Sequence, residues 1–104
     1  MIYTQQIEGI KLNIQTVDFS LNDDVQVTIS KMIKKLKRYI SGINWVDMHL
    51  RKESSQSSHK RMINVRLGIP GRDAFASVSG NHWMELLNKV EEKLRRQLRK
   101  RKNK

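Results

Sequence analysis

The sequence contains no cysteine, which excludes disulfides, zinc–thiolate centres and thiol catalysis. No apolar run approaches the ~20 residues that a membrane-spanning helix needs. The opening MIYTQQIEGIK has no basic region followed by an apolar run, so it does not read as a signal peptide. Acidic residues are scarce: 10 Asp and Glu stand against 21 Lys and Arg, for a net charge of +11. Small soluble domains usually carry ~2–8 net charges, and a larger excess repels itself. A polyanionic partner in the cytoplasm, with no membrane contact, is the first expectation.

Chemistry-bearing constellations are equally scarce. His49, His59 and His82 do not fall at metal-ligand spacing, and no acidic cluster joins them. Asp23 and Asp24 suit the positive end of a helix better than a catalytic pair. SSQSSH, residues 54–59, offers hydroxyls and a base without a positioned acid. Gly68, Gly71 and Gly80 make no phosphate-cradling loop before a helix. The expectation is a binding protein, not an enzyme, with no cofactor, no metal and no small-molecule substrate.

What is present is pattern. At 104 residues the chain has room for one domain with one modest core. Residues 10–15 alternate apolar and polar, the period of a half-buried strand. Asn22 can cap the helix that follows, in which Val25, Ile29, Met32, Ile33, Leu36 and Ile40 form one stripe. Gly42 suits a left-handed helix stop. Val46, Met48 and Leu50 alternate in a second strand, and KESSQSSH, residues 52–59, reads as a polar hairpin tip. Ile63, Val65, Leu67 and Ile69 mark a third strand, Pro70-Gly71 a type II turn, and Ala74, Ala76 and Val78 a fourth. Trp83, Leu87, Val90, Leu94 and Leu98 form the stripe of a last helix.

The expected fold is therefore α+β. It is a single domain β-α-β-β-β-α, a four-stranded sheet with both helices on one face, similar in layout to a double-stranded-RNA-binding domain. The helix between the first two of these strands should cross over right-handed if they lie parallel. Residues 1–9 read as an N-terminal extension and 102–104 as a basic tail.

The positive charge is segregated. Residues 1–30 balance at −3, whereas 81–104 balance at +6. On a wheel of about 100° per residue, Lys31, Lys34, Lys35 and Arg38 cluster opposite the first apolar stripe. Lys89, Lys93, Arg96 and Lys100 make a second stripe, with Arg95, Arg99 and Lys102 flanking it. Glu85–Lys89, Glu91–Arg95 and Glu92–Arg96 have the spacing of helical ion pairs, worth only ~0.2–0.5 kcal/mol each. Solvated surface is the bland alternative, but the same bias on two helices favours an RNA-binding surface made of Lys31, Lys34, Lys35, Arg38, Lys89, Lys93, Arg95, Arg96, Arg99 and Lys100. Two aromatics could stack on bases. Trp83 lies on the apolar stripe and reads as core, whereas Phe75 lies on the polar parity of its strand.

Several runs carry a resemblance to a family. KKLKRY (34–39) looks like K-L-x-x-[FWY], INWVDMHL (43–50) like I-x-x-V-x-V-x-L, and KLRRQLRK (93–100) like K-L-x-R-Q-L-x-K. With the order of elements, these resemble the ribosome hibernation-promoting factors, also called ribosome-associated inhibitors or sigma-54 modulation proteins, over roughly residues 10–102. The chain departs from the family at His82-Trp83-Met84, where members commonly have D-M-Y, and at Gln26, where many have Arg. Asn81 or Ser79 is left to cap the last helix.

The resemblance implies binding to the small ribosomal subunit and its rRNA in the decoding groove. It implies inhibition of translation under stress or in stationary phase, and a monomer off the ribosome. Long members add a domain that pairs ribosomes and some short ones an acidic tail; this chain looks like the short, tailless type. A double-stranded-RNA-binding module and a structural ribosomal protein are the alternatives.

Overall fold

The structure, a computed structural model, describes residues 1–17, 20–40, 42–54 and 59–102. The elements are β1 (Ile2–Ile7), β2 (Ile10–Val17), α1 (Asp23–Tyr39), β3 (Trp45–Ser54), β4 (His59–Gly68), β5 (Ala74–Gly80) and α2 (Trp83–Lys102). The strands form one sheet in the order β1-β2-β3-β4-β5, with β2 and β3 parallel and every other pair antiparallel.

The expectation of four strands is corrected to five. Residues 2–7, set aside as an extension, pair with residues 15–10 as the edge strand β1. The turn is two residues long, with Glu8 at φ +50 and Gly9 at φ +85, the sign a type I′ hairpin needs at both central positions. A left-handed Glu is strained by ~1–2 kcal/mol. Lys37 lies over the turn, donating to the Glu8 carbonyl at 3.0 Å with its ammonium 3.8 Å from the Glu8 carboxylate.

Of the other local expectations, the Asn22 cap and the Pro70-Gly71 turn stand, whereas α1 is capped by Ile40 in an extended conformation, φ −146, with the left-handed Gly42 two residues beyond it. Asn22 accepts from the Val25 N–H at 2.8 Å and caps α1. Gly42 has φ +98, and Gly71, after Pro70, has φ +87, as the third position of a type II turn requires. The tip expected over 52–59 shrinks to the interval between Ser54 and His59, which pair with each other; residues 55–58 lie outside the described residues. Of the expected tail, Lys102 closes α2, and 103–104 lie outside the described residues.

Both helices cover one sheet face. Leu12, Ile14, Val46, Met48, Leu50, Ile63, Val65, Leu67, Ala76 and Val78 point at Ile29, Ile33, Leu36, Leu87, Val90, Leu94 and Leu98 in one core. Burying one such Leu or Ile side chain stabilises by ~1.5–3 kcal/mol, so the core sets how the helices lie. They run parallel. Thr28 meets Met84 (3.4 Å) and Lys35 meets Glu91 (3.9 Å), equal steps of seven along each helix. Because α1 stops at Tyr39 while α2 continues to Lys102, the end of α2 projects past its neighbour. The opposite sheet face carries the alternate residues of every strand and, among the described residues, has no helix upon it.

Candidate nucleic-acid interface

The cations expected on the helices are at the surface. Lys31, Lys34, Lys35, Arg38, Lys89, Lys93, Arg96, Arg99 and Lys100 are exposed, and Arg95 is half-buried. The fold divides them between two faces. The Lys35–Glu91 pair fixes which flanks of α1 and α2 meet. On the wheel, Arg95 and Arg99 fall on the α1 side of α2. With Lys31, Lys34, Lys35 and Arg38 they line the outer ridge of the helical layer. Lys89, Lys93, Arg96 and Lys100 fall on the other flank of α2, beside β5.

That second flank forms a groove. Lys89, Lys93, Arg96 and Glu92 from α2 face Ser77, Ser79 and Met62 from the sheet across a depression of about 470 Å³. The edge of β5 is covered at two points. Gln97 donates to the Phe75 carbonyl at 2.6 Å and accepts the Phe75 N–H at 3.2 Å. Lys93 donates to the Ser77 carbonyl at 3.0 Å. One α2 turn thus satisfies strand groups that a sheet edge leaves unpaired, and the contact fixes the basic stripe against the sheet.

The ion pairs differ from those the spacing suggested. Arg96 pairs with Glu92 at 2.6 Å, as i,i+4 spacing predicts. Glu91 instead lies 3.9 Å from Lys35 of α1, because the two helices meet along that flank. Glu85–Lys89 and Glu91–Arg95 are not ion pairs among the described residues. The side chains of Lys31, Lys34, Arg38, Lys89, Arg95, Arg99 and Lys100 have no partner there either. A cation without an internal partner is the kind that can exchange its counter-ion for a phosphate.

At the start of α2 neither Asn81 nor Ser79 supplies a side-chain cap. The Asn81 carbonyl instead accepts from Arg61 at 2.7 Å, and the Arg61 guanidinium lies 5.8 Å from the Trp83 ring centre. Trp83 is half-buried against the core, as its place on the stripe implies. Phe75 is 45% exposed on the open face, with the Arg66 guanidinium 5.2 Å from its ring centre. No sequence pattern marked Arg66 or Arg61, and Gln97 stood in the KLRRQLRK run with no role assigned to it. The available signal was parity, since Arg66 and Phe75 both point away from the core. Among the described residues no group of three or more His, Cys, Asp or Glu could hold a metal ion, and no helix is long and apolar enough to cross a membrane.

Residues 12–104 match the model of the family described as sigma 54 modulation protein / S30EA ribosomal protein. The chain belongs to that family. The match takes in both helices, β3–β5, β2 from Leu12 onward and all the cations named above. Among solved structures, the N-terminal domain of Protein Y from Thermus thermophilus is similar at 13% identity and TM-score 0.67, covering 84% of this chain and 92% of that one. A ribosomal subunit interface protein from Coxiella burnetii is similar at 17% identity and TM-score 0.71, covering 89% and 98%. At such identities these two show a shared fold. No match was found among curated proteins. For this S30EA-family chain, then, fold and family rest on separate observations: the helix and strand order on one side, the residue pattern over 12–104 on the other.

Proposed function

We propose that this protein is a ribosome-binding translation inhibitor, a hibernation factor that occupies the decoding groove of the small subunit and excludes messenger and transfer RNA. The observation that carries the reading is the set of unpartnered cations on two parallel helices, in a chain that belongs to the sigma 54 modulation / S30EA family. The Coxiella burnetii relative is a ribosomal subunit interface protein, which supports the same partner. The work is done by occupancy. Phosphates of rRNA neutralise Lys31, Lys34, Lys35, Arg38, Lys89, Lys93, Arg95, Arg96, Arg99 and Lys100, and the rigid body then fills space that RNA ligands need. No bond is made or broken, so neither cofactor nor substrate enters. Off the ribosome the chain is a monomer in the cytoplasm, released to the ribosome in stress or stationary phase.

The test is competition. Purified small subunits are saturated with labelled transfer RNA and titrated with the protein. Transfer RNA should leave in proportion to protein bound, with no RNA cut. Simultaneous saturation by both ligands would refute occupancy, and would leave a structural ribosomal protein as the reading. Equal affinity for any RNA duplex, without preference for the subunit, would instead place the chain with double-stranded-RNA-binding modules, whose sheet-and-two-helix layout it resembles.

A further inference from the structure

The open sheet face is used by neither helix, and it holds an arrangement that the basic faces do not explain. Strand register sets two rows across it. Arg66 pairs with Asp47 on one side and Phe75 on the other in one row; His49, Asn64 and Ser77 form the next. Asp47, His49, Asn64, Arg66 and Phe75 line a depression of about 250 Å³. We propose that this depression docks one unpaired nucleobase of single-stranded RNA, with Phe75 and Arg66 as the stacking surface and Asp47 and Asn64 at the base edge.

Four observations carry it. Phe75 is a large apolar side chain 45% exposed on a polar face, where burial supplies no reason for an aromatic ring. The ring is also preorganised. Its backbone is paired to Arg66 on one side and held through both N–H and C=O by Gln97 on the other. The Arg66 guanidinium sits 5.2 Å from the ring centre and 4.0 Å from Asp73, so a planar cation lies ready beside a π face. Bases stack on both kinds of group regardless of sequence.

The edge groups are complementary to a base. Asp47 uses Oδ1 to accept from Asn13 at 3.1 Å, and Asn64 uses Oδ1 to accept from Ser77 at 2.5 Å. Asp47 Oδ2, an acceptor, and Asn64 Nδ2, a donor, have no partner among the described residues. Every base offers a neighbouring donor and acceptor on its pairing edge, so the site fits an unpaired base and rejects a paired one. Charge agrees. Lys11, Arg51, Lys60 and Arg66 outnumber Asp47, Glu53 and the Asp73 beside Arg66 on this face, which suits the backbone of the same strand.

The experiment uses the full chain labelled with ¹⁵N and titrated with pentauridylate, pentaadenylate and a short RNA duplex. Either single strand should shift the resonances of Phe75, Arg66, Asn64 and Asp47, and the duplex should leave them in place. Phe75→Ala should weaken single-strand binding by about fivefold to 150-fold, the span found when one stacking aromatic is removed, and Phe75→Trp should restore it. Lys89→Glu with Lys100→Glu should lower affinity for both RNA forms while the Phe75 shift persists at saturation. Unchanged single-strand affinity in Phe75→Ala, or shifts confined to α1 and α2, would overturn the site and leave this face to a protein neighbour. In that event the occupancy reading above would still stand on the helix-reversal result.

Discussion

The side-chain amide of Gln97 bonds both backbone groups of Phe75, donating to its carbonyl at 2.6 Å and accepting its N–H at 3.2 Å. A helix side chain thus takes the place of a neighbouring strand at the edge of β5. Each such bond contributes ~0.5–1.5 kcal/mol net. Gln97→Ala is expected to destabilise the fold by about 1–2 kcal/mol in urea denaturation. Gln97→Glu should cost at least as much, because a carboxylate oxygen cannot donate to the Phe75 carbonyl. A change under ~0.3 kcal/mol in both would mean the edge is satisfied by water instead.

Gly68 faces Trp45 across β3 and β4, and a Cβ there would collide with the indole ring. Gly68 is buried by that ring, so the ring must shift if a methyl group is added. Gly68→Ala should lower stability by about 1–3 kcal/mol, the usual cost of overpacking, and redden Trp fluorescence as the indole moves toward water. Adding Trp45→Ala should recover part of the loss. If the single variant melts as the parent does, the close approach is not a constraint.

These two contacts show what a sequence conceals. The strands over 10–15, 46–50 and 63–69 and both helical stripes were legible because burial imposes a period, and the buried residues follow it. β1 was not legible. IYTQQI has no clean alternation, since only Ile7 is buried and Tyr3 half-buried on an edge strand. Its Glu8-Gly9 turn also lacks the Asn-Gly or Asp-Gly signal. The basic faces were visible as wheel stripes, but their division depends on the parallel packing of α1 and α2. The row of Asp47, Arg66 and Phe75 joins three strands through registers that only folding sets.

Glu8 offers a prediction in which opposed terms can be weighed. At φ +50 it holds a left-handed conformation, costing ~1–2 kcal/mol relative to a residue at ease there. Asn adopts this region readily, so Glu8→Asn relieves part of that cost. What it loses is the exposed pair with Lys37 at 3.8 Å, worth ~0–1 kcal/mol; the Lys37 bond to the Glu8 carbonyl is unaffected. The variant should be as stable as the parent or up to ~1 kcal/mol more so. A clear loss of stability in thermal denaturation would show that the ion pair outweighs the turn strain.

Ribosome binding should weaken steeply with salt. Each phosphate neutralised adds ~0.7–0.9 to the slope of log K against log salt. If the unpartnered cations of α1 and α2 each engage even in part, the slope should be about −4 or steeper. Filter binding to purified small subunits between low and moderate salt measures it. A flat response would remove the electrostatic basis of the proposed function.

Which cations grip can be decided by reversals chosen from their partners. Lys93 donates to the Ser77 carbonyl and Arg96 pairs with Glu92, so reversing either disturbs the fold as well as the charge. Lys89 and Lys100 have no partner among the described residues and lie about 16 Å apart along the same flank, eleven residues at ~1.5 Å each. Lys89→Glu with Lys100→Glu should leave stability within ~0.5 kcal/mol while affinity for the subunit falls by orders of magnitude and the salt slope becomes shallower. Lys31→Glu with Arg99→Glu makes the same test on the outer ridge of the two helices. A chain ending at Lys100, without Arg101, Lys102 and Lys104, is the control. It should lose less than either double reversal, because it removes three positive charges, whereas each reversal removes two and puts two negative ones in their place. Should the shortened chain lose more than both, binding would reside in the last four residues, and the stripes on α1 and α2 would be solvated surface.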